Sequence, residues 1–216
     1  TGGIWSSTNQ LIASVNNSGL VTGLTPGTTY VSFTQLSTGC ISENNIPITV
    51  NTRPNVSFIG ANTLCIGDNT TLSPNAGGTW TSQNPVVASV TSSGFVLAKN
   101  EGFTKFTFTD SSTGCSATTS NNLVVKGRPN ISLSGPESIC IEGETQFLPS
   151  AGGIWESFTP NIAIINNQGT VTGVSQGNAL FRFTDSSTGC VSSLSQYIFV
   201  FAPKEVSVSG PTEICL

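Results

Sequence analysis

Three tryptophans in this chain, Trp5, Trp80 and Trp155, stand at equal intervals, and its cysteines keep the same spacing. Cys40, Cys115 and Cys190 form one series, and Cys65, Cys140 and Cys215 form the other. The text around them repeats too. Gly2-Gly3-Ile4-Trp5 returns as Gly77-Gly78-Thr79-Trp80 and as Gly152-Gly153-Ile154-Trp155. Ser37-Thr38-Gly39-Cys40 returns as Ser112-Thr113-Gly114-Cys115 and as Ser187-Thr188-Gly189-Cys190. A fixed period of this length, about 75 residues, marks a string of like units, each burying its own small core. The period divides the chain into 1–52, a repeat truncated at its N-terminal side; 53–127; 128–203; and 204–216, the first strand of a further repeat. Because residue 1 falls inside a repeat, the chain reads as an internal piece of a longer protein.

Within one period the apolar residues alternate instead of recurring at helical spacing. In the third repeat Ile131–Ser134, kinked at Gly135-Pro136 and continued by Ser138–Ile141, reads as one short strand, followed by Thr145–Leu148, Ile154–Ser157, Ile162–Ile165, Thr170–Gly173, Ala179–Thr184 and Tyr197–Phe201. Turn-forming clusters such as Pro149–Gly153 and Asn166–Gly169 separate them. So many strands in about 75 residues, with no three-turn apolar stripe, predict an all-β sandwich. Trp5, Trp80 and Trp155 are expected to fill the cores. Phe33, Phe108 and Phe183 follow each of them at one constant interval and are expected to pack alongside. The short linkers Val50–Pro54, Val125–Pro129 and Val200–Pro203 each contain proline, and predict a stiff, rod-like array.

Composition narrows the function. Charged residues make up 8% of the chain, the net charge is −4, and histidine is absent. A chain with no basic cluster is a poor partner for nucleic acid, and no run is long enough to insert in a membrane. Catalysis lacks a histidine base, a Gly-x-Ser-x-Gly elbow, a phosphate-cradling loop and a recurring carboxylate pair. The sequence therefore predicts no enzyme and no cofactor. Cysteines without histidine or Cys-x-x-Cys pairs point away from zinc and towards structural disulfides in an oxidising compartment. Asp110 and Asp185 precede Ser-Ser-Thr-Gly, where a turn-capping role outweighs a calcium site, since no second carboxylate accompanies either one.

The run Gly77-Gly-Thr-Trp80-Thr-Ser82, then Val87-Ala-Ser-Val90, then Gly94-Phe-Val96 resembles the group 2 bacterial immunoglobulin-like domain. With Cys65-Ile-Gly67 and the Thr-Gly-Cys turn added, the array is similar to tandem modules of giant Bacteroidota surface proteins, the gliding-motility adhesins of the SprB type in particular. Two departures stand out: Ala98 replaces the glycine found at Gly23 and Gly173, and Cys140-Ile-Glu-Gly143 reads as one residue longer than Cys65-Ile-Gly67. The resemblance implies a stalk or filament exported by type IX secretion and attached at the outer membrane, serving adhesion and gliding. Its partners would be neighbouring repeats, surface polysaccharide or another adhesion target, and gliding and secretion machinery reached through other regions. A glycan- or protein-binding module and a spacer in a secreted multidomain enzyme are the rival readings.

In an immunoglobulin-like sandwich, Cys65 and Cys140 fall at the trailing pole of their repeats, and Cys115 and Cys190 at the leading pole. Three pairings of Cys40, Cys65, Cys115, Cys140, Cys190 and Cys215 stay open. The favoured one joins Cys65 to Cys190 across a linker. The next is intramodular, Cys65–Cys115 and Cys140–Cys190. The third folds back around each linker, as Cys40–Cys65, Cys115–Cys140 and Cys190–Cys215.

Overall fold

The computed structural model describes residues 2–42, 46–207, 209, 210 and 213. Cys215 and most of the expected strand at 204–216 lie outside the described residues. Every regular element among the described residues is a β-strand. The chain divides into two compact units. One holds Thr1–Asn62, Asn69–Leu97 and Phe103–Leu123, and the other holds Thr63–Asp68, Ala98–Gly102 and Val124–Leu216. The sequence period and the compact units therefore partition the chain differently, since three short segments of the second repeat group with the third.

The third repeat shows how the pattern becomes a sandwich. Ser132–Leu133, Glu144–Leu148, Thr170–Gly173 and Ala163–Ile165 form one sheet in that order. Ser138–Cys140, Ile198–Phe201 and Gly177–Ala179 form another, and Gly153–Ser157 pairs with Phe181–Asp185. Alternation along each strand sends one set of side chains inward. These meet in a single cluster that includes Phe147, Trp155, Ala163, Val171, Phe181, Phe183, Ile198 and Val200. The sequence reads Ala179–Thr184 as one strand, but it breaks at Leu180 into two. The first half pairs with Ile198–Phe201 and the second with Gly153–Ser157, so this stretch changes sheets part-way along.

The same cross-strand pair recurs in every repeat. Trp5 lies opposite Phe33, Trp80 opposite Phe108, and Trp155 opposite Phe183 in antiparallel register. The ring centroids are 5.1 Å apart each time, with tilted planes, a favourable aromatic arrangement. The paired glycines before each tryptophan make this contact fit. The first, Gly77 or Gly152, has a φ near +80°, which glycine adopts without steric cost. The second lies beneath the phenylalanine ring. A Cβ on Gly78 would overlap Phe108 and the Thr109 carbonyl oxygen, and one on Gly153 would overlap Phe183 and the Thr184 carbonyl oxygen.

Trp80 and Trp155 are buried, and each donates its indole N–H to a proline carbonyl, at 2.8 Å to Pro74 and 3.0 Å to Pro149. Trp5 and Phe33 depart from the expectation of full burial and remain half-exposed. The strand that covers the pair in the later repeats, carrying Leu72 or Phe147, has no counterpart among the described residues of the first. Ala13, Ala88 and Ala163, one in each repeat, are fully buried.

Two substitutions test this core. Trp80→Ala is expected to destabilise the second repeat by about 3–5 kcal/mol. Gly78→Ala, which forces Phe108 from its seat, is expected to cost about 1–3 kcal/mol. Denaturant titration followed by tryptophan fluorescence measures both, and an unchanged midpoint for Gly78→Ala would refute the close approach.

Candidate structural junction

Cysteine-bearing segments recur at fixed places in the repeats. Thr63–Cys65 pairs in parallel with the last strand of the second repeat, with Val124 opposite Thr63, Val125 opposite Leu64 and Lys126 opposite Cys65. That strand runs straight into the linker Gly127-Arg128-Pro129. The loop after Cys65 is held by backbone bonds. Ile66 N–H donates to Lys126 O at 3.0 Å, Gly67 N–H to Ala98 O at 2.9 Å, and Asp68 N–H to Cys65 O at 3.0 Å.

The equivalent loop after Cys140 makes the same bonds. Ile141 N–H donates to Phe201 O, Glu142 N–H to Gly173 O, and Gly143 N–H to Cys140 O. This corrects the reading of an extra residue there. The two loops are equal in length, and Glu142 stands where Gly67 stands, with a φ of +65° against +89°. Hydrogen bonds on both sides hold a non-glycine residue in a conformation that glycine ordinarily takes.

The second cysteine series sits in a turn built alike three times. Gly39 N–H donates to Gln35 O, Gly114 N–H to Asp110 O and Gly189 N–H to Asp185 O, each at 2.8 Å. Asp185 Oδ1 accepts the amide and hydroxyl of Ser187 and of Thr188, at 2.7–3.0 Å. Asp110 does the same with Ser112 and Thr113. These donors stabilise the ionised carboxylate, led by the serine hydroxyl, and lower both pKa values to about 2. The aspartates therefore act as turn caps. Gln35, their counterpart in the first repeat, receives the Thr38 hydroxyl at 3.1 Å. Among the described residues no three His, Cys, Asp or Glu side chains gather to hold a metal.

Cys65 and Cys190 are joined by a disulfide with Cα atoms 5.6 Å apart, and Cys190 is fully buried. Cys40, Cys115 and Cys140 are free thiols in this 216-residue chain. Neither intramodular pair, Cys65–Cys115 or Cys140–Cys190, forms, and neither does the fold-back pairing. The third repeat gives the reason. Cys140 lies opposite Phe201, and Gly177 lies opposite neighbouring Val200. From Gly177 the chain runs through two successive strands to Asp185, so the Cys190 turn is about 25 Å away at ~3.3 Å per residue. A disulfide needs Cα atoms within about 7 Å.

Arg128 ties the linker to both cysteine segments, a role the sequence reading missed. Its Nε donates to Ile66 O at 2.7 Å and its Nη1 to Val191 O at 3.3 Å, while Nη2 stands 3.6 Å from Asp68 Oδ1. The signal was present in the sequence, since an arginine precedes the linker proline at both Arg53 and Arg128. The third linker has Pro203 at that position and the third loop has Gly143 in place of Asp68, so both halves of the ion pair are missing together. The two side chains are 41% and 47% exposed, so the pair contributes at most about 1 kcal/mol. Closing a loop of this size with a disulfide stabilises by about 5 kcal/mol in the chain-entropy account. The disulfide therefore dominates the junction, and Arg128 sets the linker's position.

Residues 3–39 match the family described as the bacterial Ig-like domain (group 2). No curated protein matches the chain. Among solved structures, the chain is similar to domains 1–6 of the surface layer protein SbsC, with 16% identity over 95% of this chain and 36% of that one, and a TM-score of 0.30. It is similar to invasin, a bacterial integrin-binding protein, with 14% identity over 92% of this chain and 51% of that one, and a TM-score of 0.43. A C-terminal fragment of intimin, solved with the intimin-binding domain of its translocated receptor, shows 21% identity over 61% of this chain and 54% of that one, and a TM-score of 0.33. The chain thus spans about a third of the SbsC structure and about half of the other two. The fold is all-β and immunoglobulin-like.

Two measurements follow from the junction. In a non-reducing peptide map, the Cys65 and Cys190 peptides are expected to travel together until reduced, and separate migration before reduction would contradict the bond. The lowered aspartate pKa values set a pH window. The stabilisation from the capped carboxylates is complete above the ordinary value of about 4 and is lost as pH falls through about 2. The stability gap between the native chain and Asp110→Asn/Asp185→Asn should therefore shrink from pH 4 to pH 2 in denaturant titrations.

Proposed function

We propose that this chain is a stalk segment of a large secreted cell-surface adhesin, with a mechanical and not a catalytic role in surface attachment and gliding. The observation that carries the reading is repetition of one core: the same Trp–Phe pair, the same buried alanine and the same cysteine turn in every period. Repetition of an inert sandwich provides reach, and a bond across a linker limits bending there. The loops support the same reading, being rich in Ser, Thr, Asn and Gly, without clustered charge or aromatic residues that would differ between repeats. A sugar-stacking role for the tryptophans has little support, since Trp80 and Trp155 are each 5% exposed. Among the described residues no helix is long and apolar enough to cross a membrane. Surface polysaccharide or another adhesion target, and the secretion and gliding machinery, would engage other parts of the parent protein.

Antibody raised against the 216-residue chain tests the proposal on intact cells of the source organism. Surface labelling that travels along the cell body is expected. Labelling that requires permeabilised cells would reject the surface stalk, and static surface labelling would reject gliding.

A further inference from the structure

The disulfide joins residues 125 apart in sequence, and the enclosed backbone contains two aromatic pairs, Trp80 with Phe108 and Trp155 with Phe183. We propose that this bond is a force bypass: in a chain pulled from its ends, tension reaches Cys65, crosses through the sulfurs to Cys190, and never loads the backbone between them. The inference rests on the reading of the chain as a stalk under tension. It follows from covalent connectivity, because a taut chain carries force along its shortest bonded path. Without the bond, that stretch could be drawn out at ~3.3–3.6 Å per residue. With it, the same stretch contributes the 5.6 Å between the two Cα atoms. Strands outside the loop, such as Ile198–Phe201, take the load, and once they have detached, unfolding what lies inside the loop yields no further length.

The two free cysteines flanking this linker carry the idea further. Cys140 sits in a loop hydrogen-bonded like that of Cys65, and Cys115 in a turn hydrogen-bonded like that of Cys190. Where the period continues, the same bond joins Cys140 to a cysteine as far along the chain as Cys190 is from Cys65, and Cys115 to one equally far back. Such bonds overlap. From Cys115 the backbone runs through the linker to Cys140, and the next bond then skips a stretch as long as the one closed here. Two repeats are thus crossed on roughly 25 residues of backbone, about 90 Å when taut, against about 500 Å for the unbonded chain. The backbone from Cys140 to Cys190, which carries the core pair, only cross-connects two such paths. A stalk linked in this way resists lengthening even when its repeats unfold. Each bond forms when two thiols release two protons and two electrons to a disulfide oxidant such as oxidised glutathione.

Single-molecule stretching of the 216-residue chain by its termini tests the bypass. Reduction by a phosphine, or Cys190→Ser, should lengthen the fully extended chain by about 420 Å, while Cys115→Ser should leave it unchanged. Equal lengths before and after reduction would overturn the proposal. For the overlapping bonds, residues 129–203 are added again after Pro203, and the chain is refolded with oxidised glutathione. Cys140 should then be linked to the added copy of Cys190, whereas a Cys140 that still reacts with iodoacetamide would limit the bypass to a single junction. These readings do not depend on where the protein resides, so failed cell labelling would reject the stalk and leave the covalent path standing.

Discussion

A tryptophan ring facing a phenylalanine ring across an antiparallel pair, above a glycine that has no side chain, is the contact on which each repeat depends. It fixes the register of the two paired strands, because a slip of one residue would put the two rings on opposite faces. It also explains why two adjacent glycines recur: one supplies a backbone angle and the other supplies space. Ala88 and Ala163 are fully buried in the same cores. With these positions set, the other inward residues can vary in shape, as Leu72 and Phe147 do at equivalent places.

The same strands deliver the cysteines to their positions. Asp110 and Asp185 end the strands that carry Phe108 and Phe183, and each cap shapes the turn that presents a cysteine. Cys65 and Cys140 end strands that pair in parallel with the last strand of the repeat, beside the outgoing linker. A repeat therefore holds its two cysteines at separate places, and strand geometry alone rules out a bond between Cys140 and Cys190. The weak Arg128–Asp68 pair and the strong disulfide divide the labour at the junction, the first orienting the linker and the second closing it.

Much of this was legible in the residues. Alternation revealed the strands, and the constant spacing between Trp and Phe anticipated a pair that the structure repeats at 5.1 Å in all three copies. The points that escaped depend on backbone detail or on distant partners. The break at Leu180 cannot be read from alternation, because a strand that changes sheets keeps its inward and outward order. Glu142 was misread as an insertion because positive φ is associated with glycine, whereas here its neighbours' hydrogen bonds hold it. Trp5 has the same local sequence as Trp80 and Trp155, yet it stays half-exposed, since burial depends on a covering strand and not on the motif. Arg128 looked like linker text because its partners, Ile66 and Val191, lie far away in the sequence on either side.

The sequence by itself determined the period, the all-β character and the identity of the core pair, because alternation and spacing are properties of the local chain. Only the tertiary structure decided which sulfur meets which. Three pairings were open to the same six cysteines, and the choice among them turns on distances between residues 125 apart, which a one-dimensional pattern does not contain.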